Sequence, residues 1–139
     1  MTIAADTLVV GAELPTHTVT DIRSDDIRVV ALVLRDPNPI HFDLDEVRRL
    51  GLGERVVNQG GATMAYVANY LADLAGSRAA IKSMSCEFRG NVLAGDDVVL
   101  GAMVTSIDDT SEGRRVGCDV WADVVGGKRA IIGTAVLHV

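Results

Sequence analysis

A chain of 139 residues has room for one domain with its own core, and its 48% hydrophobic and 23% charged shares are those of a folded protein. A formal charge of -6, with basic residues concentrated only in the pairs Arg48-Arg49, Arg114-Arg115 and Lys128-Arg129, argues against a nucleic-acid partner. The longest uncharged run, Val56 to Ala72, contains Asn58, Gln59 and two glycines and is too short and polar to span a bilayer.

The N-terminal stretch MTIAADTLVVGAELP lacks the basic and apolar regions of a signal peptide. Cys86 and Cys118 stand alone, without a CxxC or a histidine at metal-ligand spacing. They read as reduced packing thiols. No disulfide, metal or redox cofactor is expected, and the cytoplasm is the expected location.

The Thr- and Val-rich stretch Leu14–Ile22 predicts a strand. Ser24 offers an N-cap to a buried helix over Asp25–Leu34, in which Ile27, Val30, Ala31 and Leu34 recur at helical spacing. Pro37 ends that helix and starts a turn that runs to His41. Asp43, with Glu46 three residues on, predicts a capping box for a second helix, and Phe42 and Val47 stand at staple positions. Gly51 or Gly53 closes it.

The segment NQGGATMAYVANYLADLAG predicts the central helix. Its expected apolar face holds Met64, Ala65, Val67, Ala68, Leu71, Ala72, Leu74 and Ala75, with Thr63, Tyr66, Asn69, Tyr70 and Asp73 opposite. Four strands are expected after it, Ala80–Arg89, Asp97–Ile107, Arg114–Val125 and Arg129–Val139, as a run of antiparallel neighbours. Helices segregated from strands imply a single α+β domain over 1–139, a sheet wrapped around one long helix.

The turn RDPNPIHFD, Arg35 to Asp43, carries the candidate chemistry. Five residues apart on a helix, Asp36 and His41 would diverge by about 140°. A turn stiffened by Pro37 and Pro39 can bring them together. A carboxylate beside an imidazole can orient a water and exchange protons with a substrate. Asp-Pro-Asn-Pro is also good turn chemistry in its own right, with Asp36 tying down local amides. Gly60 and Gly61, at the entry to the central helix, leave room for a ligand to approach unpaired amide donors that could polarise a carbonyl.

Asp36-Pro37-Asn38-Pro39-Ile40-His41-Phe42-Asp43 resembles the D-x-N-P-x-H-x-D signature of the MaoC-like, R-specific enoyl-CoA hydratases and dehydratases, which have the hotdog fold. Gln59-Gly60 stands where that family usually has His-Gly, and FRGNVLAGD resembles its F-x-x-P-V-x-P-G-D turn, with Asn91 and Ala94 in place of prolines. The resemblance implies syn addition of water to a trans-2-enoyl thioester of CoA or an acyl carrier, or the reverse. Asp36 and His41 would then share the acid/base work and the Gly60 amide would bind the thioester carbonyl. Asn38, Gln59 and Gly61 would support or line the substrate site. It also implies a homodimer, or one subunit of a heterodimer.

Two other functions are weighed against it. A hotdog thioesterase would need a catalytic carboxylate on the central helix, where Asp73 is the one candidate and lies far from Gly60. A non-catalytic subunit that completes a partner's tunnel would not need both Asp36 and His41. His17 and His138 read as non-catalytic, Trp121 as core or interface, and Tyr66 and Tyr70 as possible pocket residues.

Overall fold

Alternation in the C-terminal half decides the architecture. In the computed structural model, which describes residues 2–139, five antiparallel strands form one sheet: β1 (His17–Val19), β2 (Ile81–Phe88), β3 (Val98–Thr110), β4 (Gly113–Val124) and β5 (Arg129–His138). Val98, Leu100, Ala102 and Val104 on β3, with Val116, Cys118, Val120 and Ala122 on β4, all turn to one buried face. Ile131, Ala135 and Leu137 continue that face on β5. The period of two makes this one-sided burial possible.

The predicted strand boundaries fall within a few residues of these. Their order does not follow the chain: it is β1-β3-β4-β5-β2. The expected run of neighbours holds only for β3, β4 and β5. β2 passes to the far edge and pairs with β5, because the helix before it delivers the chain to that side. β1 is shorter than predicted, since only three of the nine residues from Leu14 to Ile22 pair with β3 as a strand.

Three α-helices cover the buried face and its margin: α1 (Ser24–Leu34), α2 (Leu44–Arg49) and α3 (Gly60–Ala75). α3 presses Val67, Tyr70, Leu71 and Leu74 into the core. Each fully buried Val or Leu there contributes roughly 1.5–3 kcal/mol. The buried stripe is rotated from the predicted one. Met64 and Ala65 are exposed, whereas Thr63 and Tyr70 are buried. Polar atoms with partners explain the difference: Thr63 Oγ1 accepts from Asn58 Nδ2, and the Tyr70 hydroxyl donates to Pro15 O at 2.9 Å. Burial pushes the Tyr70 phenol up to about 12, so it remains a donor.

α1 forms where predicted, but the predicted burial does not hold. Only Ile27 and Ala31 are buried, while Val29, Leu32, Val33 and Leu34 are 56–78% exposed. Ser24 begins the helix instead of capping it; the cap position is Arg23, with no side-chain bond. At α2 the cap is half of the predicted box. Asp43 Oδ1 accepts from the amides of Asp45 and Glu46, but the Glu46 carboxylate turns to Arg49. Phe42 remains 46% exposed and does not staple Val47.

The basic pairs are surface groups, with Arg48 on Glu54, Arg49 on Glu46, Arg114 on Asp109 and Arg129 on Asp123. Arg129 also lies 5.3 Å over the half-buried Trp121 ring on the outer face of the sheet. Both cysteines are free, Cys118 buried and Cys86 partly so. Among the described residues, no helix is long and apolar enough to cross a membrane.

Candidate active site

α1 ends at Leu34, two residues before Asp36. Arg35 takes the left-handed conformation, φ 52, at the C-cap, and the Asp36 amide reaches back to Ala31 O at 2.9 Å. The chain then folds on its own polar side chains. Asp36 Oδ1 accepts from the Asn38 amide, and Asn38 Oδ1 accepts from the Ile40 amide, which starts a short 3-10 turn over Pro39–His41. These Asx turns, with two proline rings fixing φ, leave the loop little freedom.

One oxygen of Asp36 is thus spent on the loop, and the other faces the histidine. Asp36 Oδ2 lies 3.2 Å from His41 Nε2. The His41 side chain is 7% exposed and that of Asp36 30%, so the pair meets solvent mainly through the carboxylate. On its other side the ring meets Val57 O, 2.6 Å from Nδ1. A carbonyl oxygen only accepts, so Nδ1 carries the hydrogen. Nε2 therefore needs a proton on itself or on Oδ2 to bond Asp36. Without one, two lone pairs would face each other. The arrangement can take up a proton between the two groups, with the far end of the ring fixed by the backbone.

The Ile40–Val57 pairing also brings the loop to α3. The Val57 amide donates to Ile40 O at 2.9 Å, and Gly60 lies three residues further on, within about 11 Å of chain. At the start of α3 the Ala62 and Thr63 amides both turn to Gln59 O, so the Gly60 and Gly61 amides precede the first bonded turn. Gly60 and Gly61 are exposed. A side chain on Gly60 would press on the Phe88 ring, with a Cβ 3.0 Å from its edge.

Gln59 does not open onto solvent. It is 2% exposed, its Nε2 donates to Ile27 O on α1 at 3.0 Å, and its Oε1 is buried without a partner. It is a strut between α1 and α3. Asn38 is exposed and holds the loop.

Sequence reasoning missed Val57, whose carbonyl sets the His41 tautomer, and Asn58, whose side chain braces Thr63. Neither has a local signal, since both roles depend on pairing between distant segments. It also passed over Arg35, whose signal was an arginine at a helix end where Gly or Asn is usual.

An apolar groove of about 520 Å³ opens beside Asp36, lined also by Arg28, Ala31, Leu32, Arg35, Pro37 and Phe42. The other candidates lie apart. His17 is exposed on β1, His138 is half-buried at the end of β5, and Tyr66 is half-buried on α3, its phenol pushed up by burial. Asp73 is exposed, about 20 Å along α3 from Gly60. Among the described residues, no three His, Cys, Asp or Glu side chains converge as metal ligands.

Residues 7–124 match the family model described as MaoC like domain. No curated protein matches the chain. Among solved structures, the (R)-hydratase from A. caviae involved in PHA biosynthesis is similar at 20% identity, over 97% of this chain and 99% of that one, with a TM-score of 0.82. The ChsH1-ChsH2 complex from Mycobacterium tuberculosis is similar at 25% identity, over 94% of this chain and 97% of that one, with a TM-score of 0.77. A MaoC-like dehydratase is similar at 25% identity over 97% of this chain but 42% of its own length, with a TM-score of 0.86.

Proposed function

Because the chain belongs to the MaoC-like domain family and has that family's hotdog fold, we propose that it is an R-specific enoyl-thioester hydratase, or a dehydratase in the reverse direction, with Asp36 and His41 as its acid/base pair. The observation that carries this reading is the contact between Asp36 Oδ2 and His41 Nε2, with Nδ1 committed to Val57 O.

A water bound against these two groups gives up a proton to the pair as its oxygen bonds C3 of the trans-2-enoyl thioester. The C2–C3 π electrons move toward the thioester carbonyl, whose oxygen gains charge. The Gly60 amide, at the positive end of α3, stabilises that oxygen, with Gly61 beside it. The pair then returns a proton to C2 on the same face. Water has been added across the double bond and the pair is restored. Asn38 supports this by holding the loop, and Gln59 by fixing α1 against the helix start.

The likeness to a two-chain complex supports a second reading, in which the chain works as one subunit of a heteromeric dehydratase. A thioesterase is less well supported, because Asp73 is remote from the helix start. The test is to follow loss of the conjugated-alkene absorbance of crotonyl-CoA with the purified chain, and to determine product chirality and assembly mass. The account expects R-3-hydroxybutyryl-CoA and a homodimer. Activity that appears only with a second hotdog chain establishes the heteromer instead, and free thiol release establishes the thioesterase.

A further inference from the structure

We propose that the groove beside Asp36 binds an acyl group that ends in a carboxylate, and that Arg35 recognises that end. The inference rests on the thioester-hydratase reading and names its substrate class. The groove walls are apolar, and Leu32 and Phe42 stand 78% and 46% exposed beside them. A cavity of about 520 Å³ accepts a group of drug size, far larger than a crotonyl chain. Its charged lining is Arg28 and Arg35 beside Asp36, whose carboxylate is already engaged by His41, in a chain whose net charge is -6.

Arg35 is the residue out of place. The left-handed position after a helix normally takes glycine, because Cβ is disfavoured there. Asp21, the other non-glycine residue with positive φ among the described residues, has the short polar side chain that tolerates it. Arg35 does not, and its strained backbone position points to use of the side chain. Arg28 already has Asp25 at 3.5 Å, whereas Arg35 forms no ion pair among the described residues. A guanidinium fork suits a carboxylate in two-point contact. Because Arg35 adjoins Asp36, an anion on it lies within one acyl chain of the reacting carbon.

The experiment measures binding by calorimetry for decanoyl-CoA and its ω-carboxy counterpart, both saturated and therefore unreactive. The native chain is expected to bind the carboxylated thioester about tenfold more tightly. Arg35→Gly should erase that preference while the melting temperature holds or rises, and Arg35→Lys should keep part of it. No preference in the native chain overturns the proposal. So does an equal loss for both thioesters in Arg35→Gly, which would mark phosphate recognition, or a fall in melting temperature, which would mark a structural role. Preference without hydration of any enoyl thioester leaves this inference standing and removes the hydratase reading. Hydration of crotonyl-CoA without the preference does the reverse.

Discussion

His41 is held from behind by a backbone carbonyl and from the front by a carboxylate, and that is a stronger constraint than the turn alone supplies. The spacing of Asp36 and His41 was legible because two prolines and two Asx side chains are local devices that act on neighbouring residues. The Val57 carbonyl was not legible, because it reaches His41 only through a pairing sixteen residues away. Gln59 shows the same limit. Its position at the helix start was readable, but not that its amide would turn to Ile27 O. This gives a sharp prediction. Gln59→Glu places an acceptor against an acceptor in a site 2% exposed, and should cost roughly 3–5 kcal/mol in urea unfolding at neutral pH. Gln59→Met loses one bond and also removes the unpartnered oxygen, so it should stay within about 1 kcal/mol of the native chain.

At the scale of elements, periodicity and capping chemistry found the three α-helices but misjudged the faces of two. α1 has enough apolar residues for a buried helix, yet only Ile27 and Ala31 are buried and only Ile27 joins the core, because α1 lies at the margin and not over the strands. On α3, hydropathy alone put Tyr70 outside, although its hydroxyl had a carbonyl waiting on Pro15. Leu71→Ala should therefore cost about 2–5 kcal/mol, whereas Met64→Ala on the exposed side should cost under about 0.5 kcal/mol; denaturant midpoints decide. The sheet has its own close approach. A Cβ at Gly133 on β5 would run into the Ser85 carbonyl oxygen of β2, a backbone atom that no rotamer change can move. Gly133→Ala should loosen that edge pairing by about 3 kcal/mol, visible as faster amide exchange along β2 than along β3.

At the scale of the molecule, the order β1-β3-β4-β5-β2 leaves β2 as the long open edge and α1 as an uncovered apolar face. Exposed strand edges are usually managed by pairing or cover, which suits the proposed association of two hotdog chains. The α+β class and the four C-terminal strands were readable from alternation and glycine punctuation. The strand order was not, since nothing local states that β2 will pair with β5. The same fold brings the loop of Asp36 and His41 to the first turn of α3, and the central claim is that this junction adds water to an enoyl thioester. Its most direct test is the turnover number for hydration of crotonyl-CoA by Asp36→Asn, His41→Ala and the double variant, each with native circular dichroism. The account predicts losses of about 10³-fold or more in each single variant and little further loss in the double, because the two groups act as one unit. Native turnover in either folded single variant would contradict it.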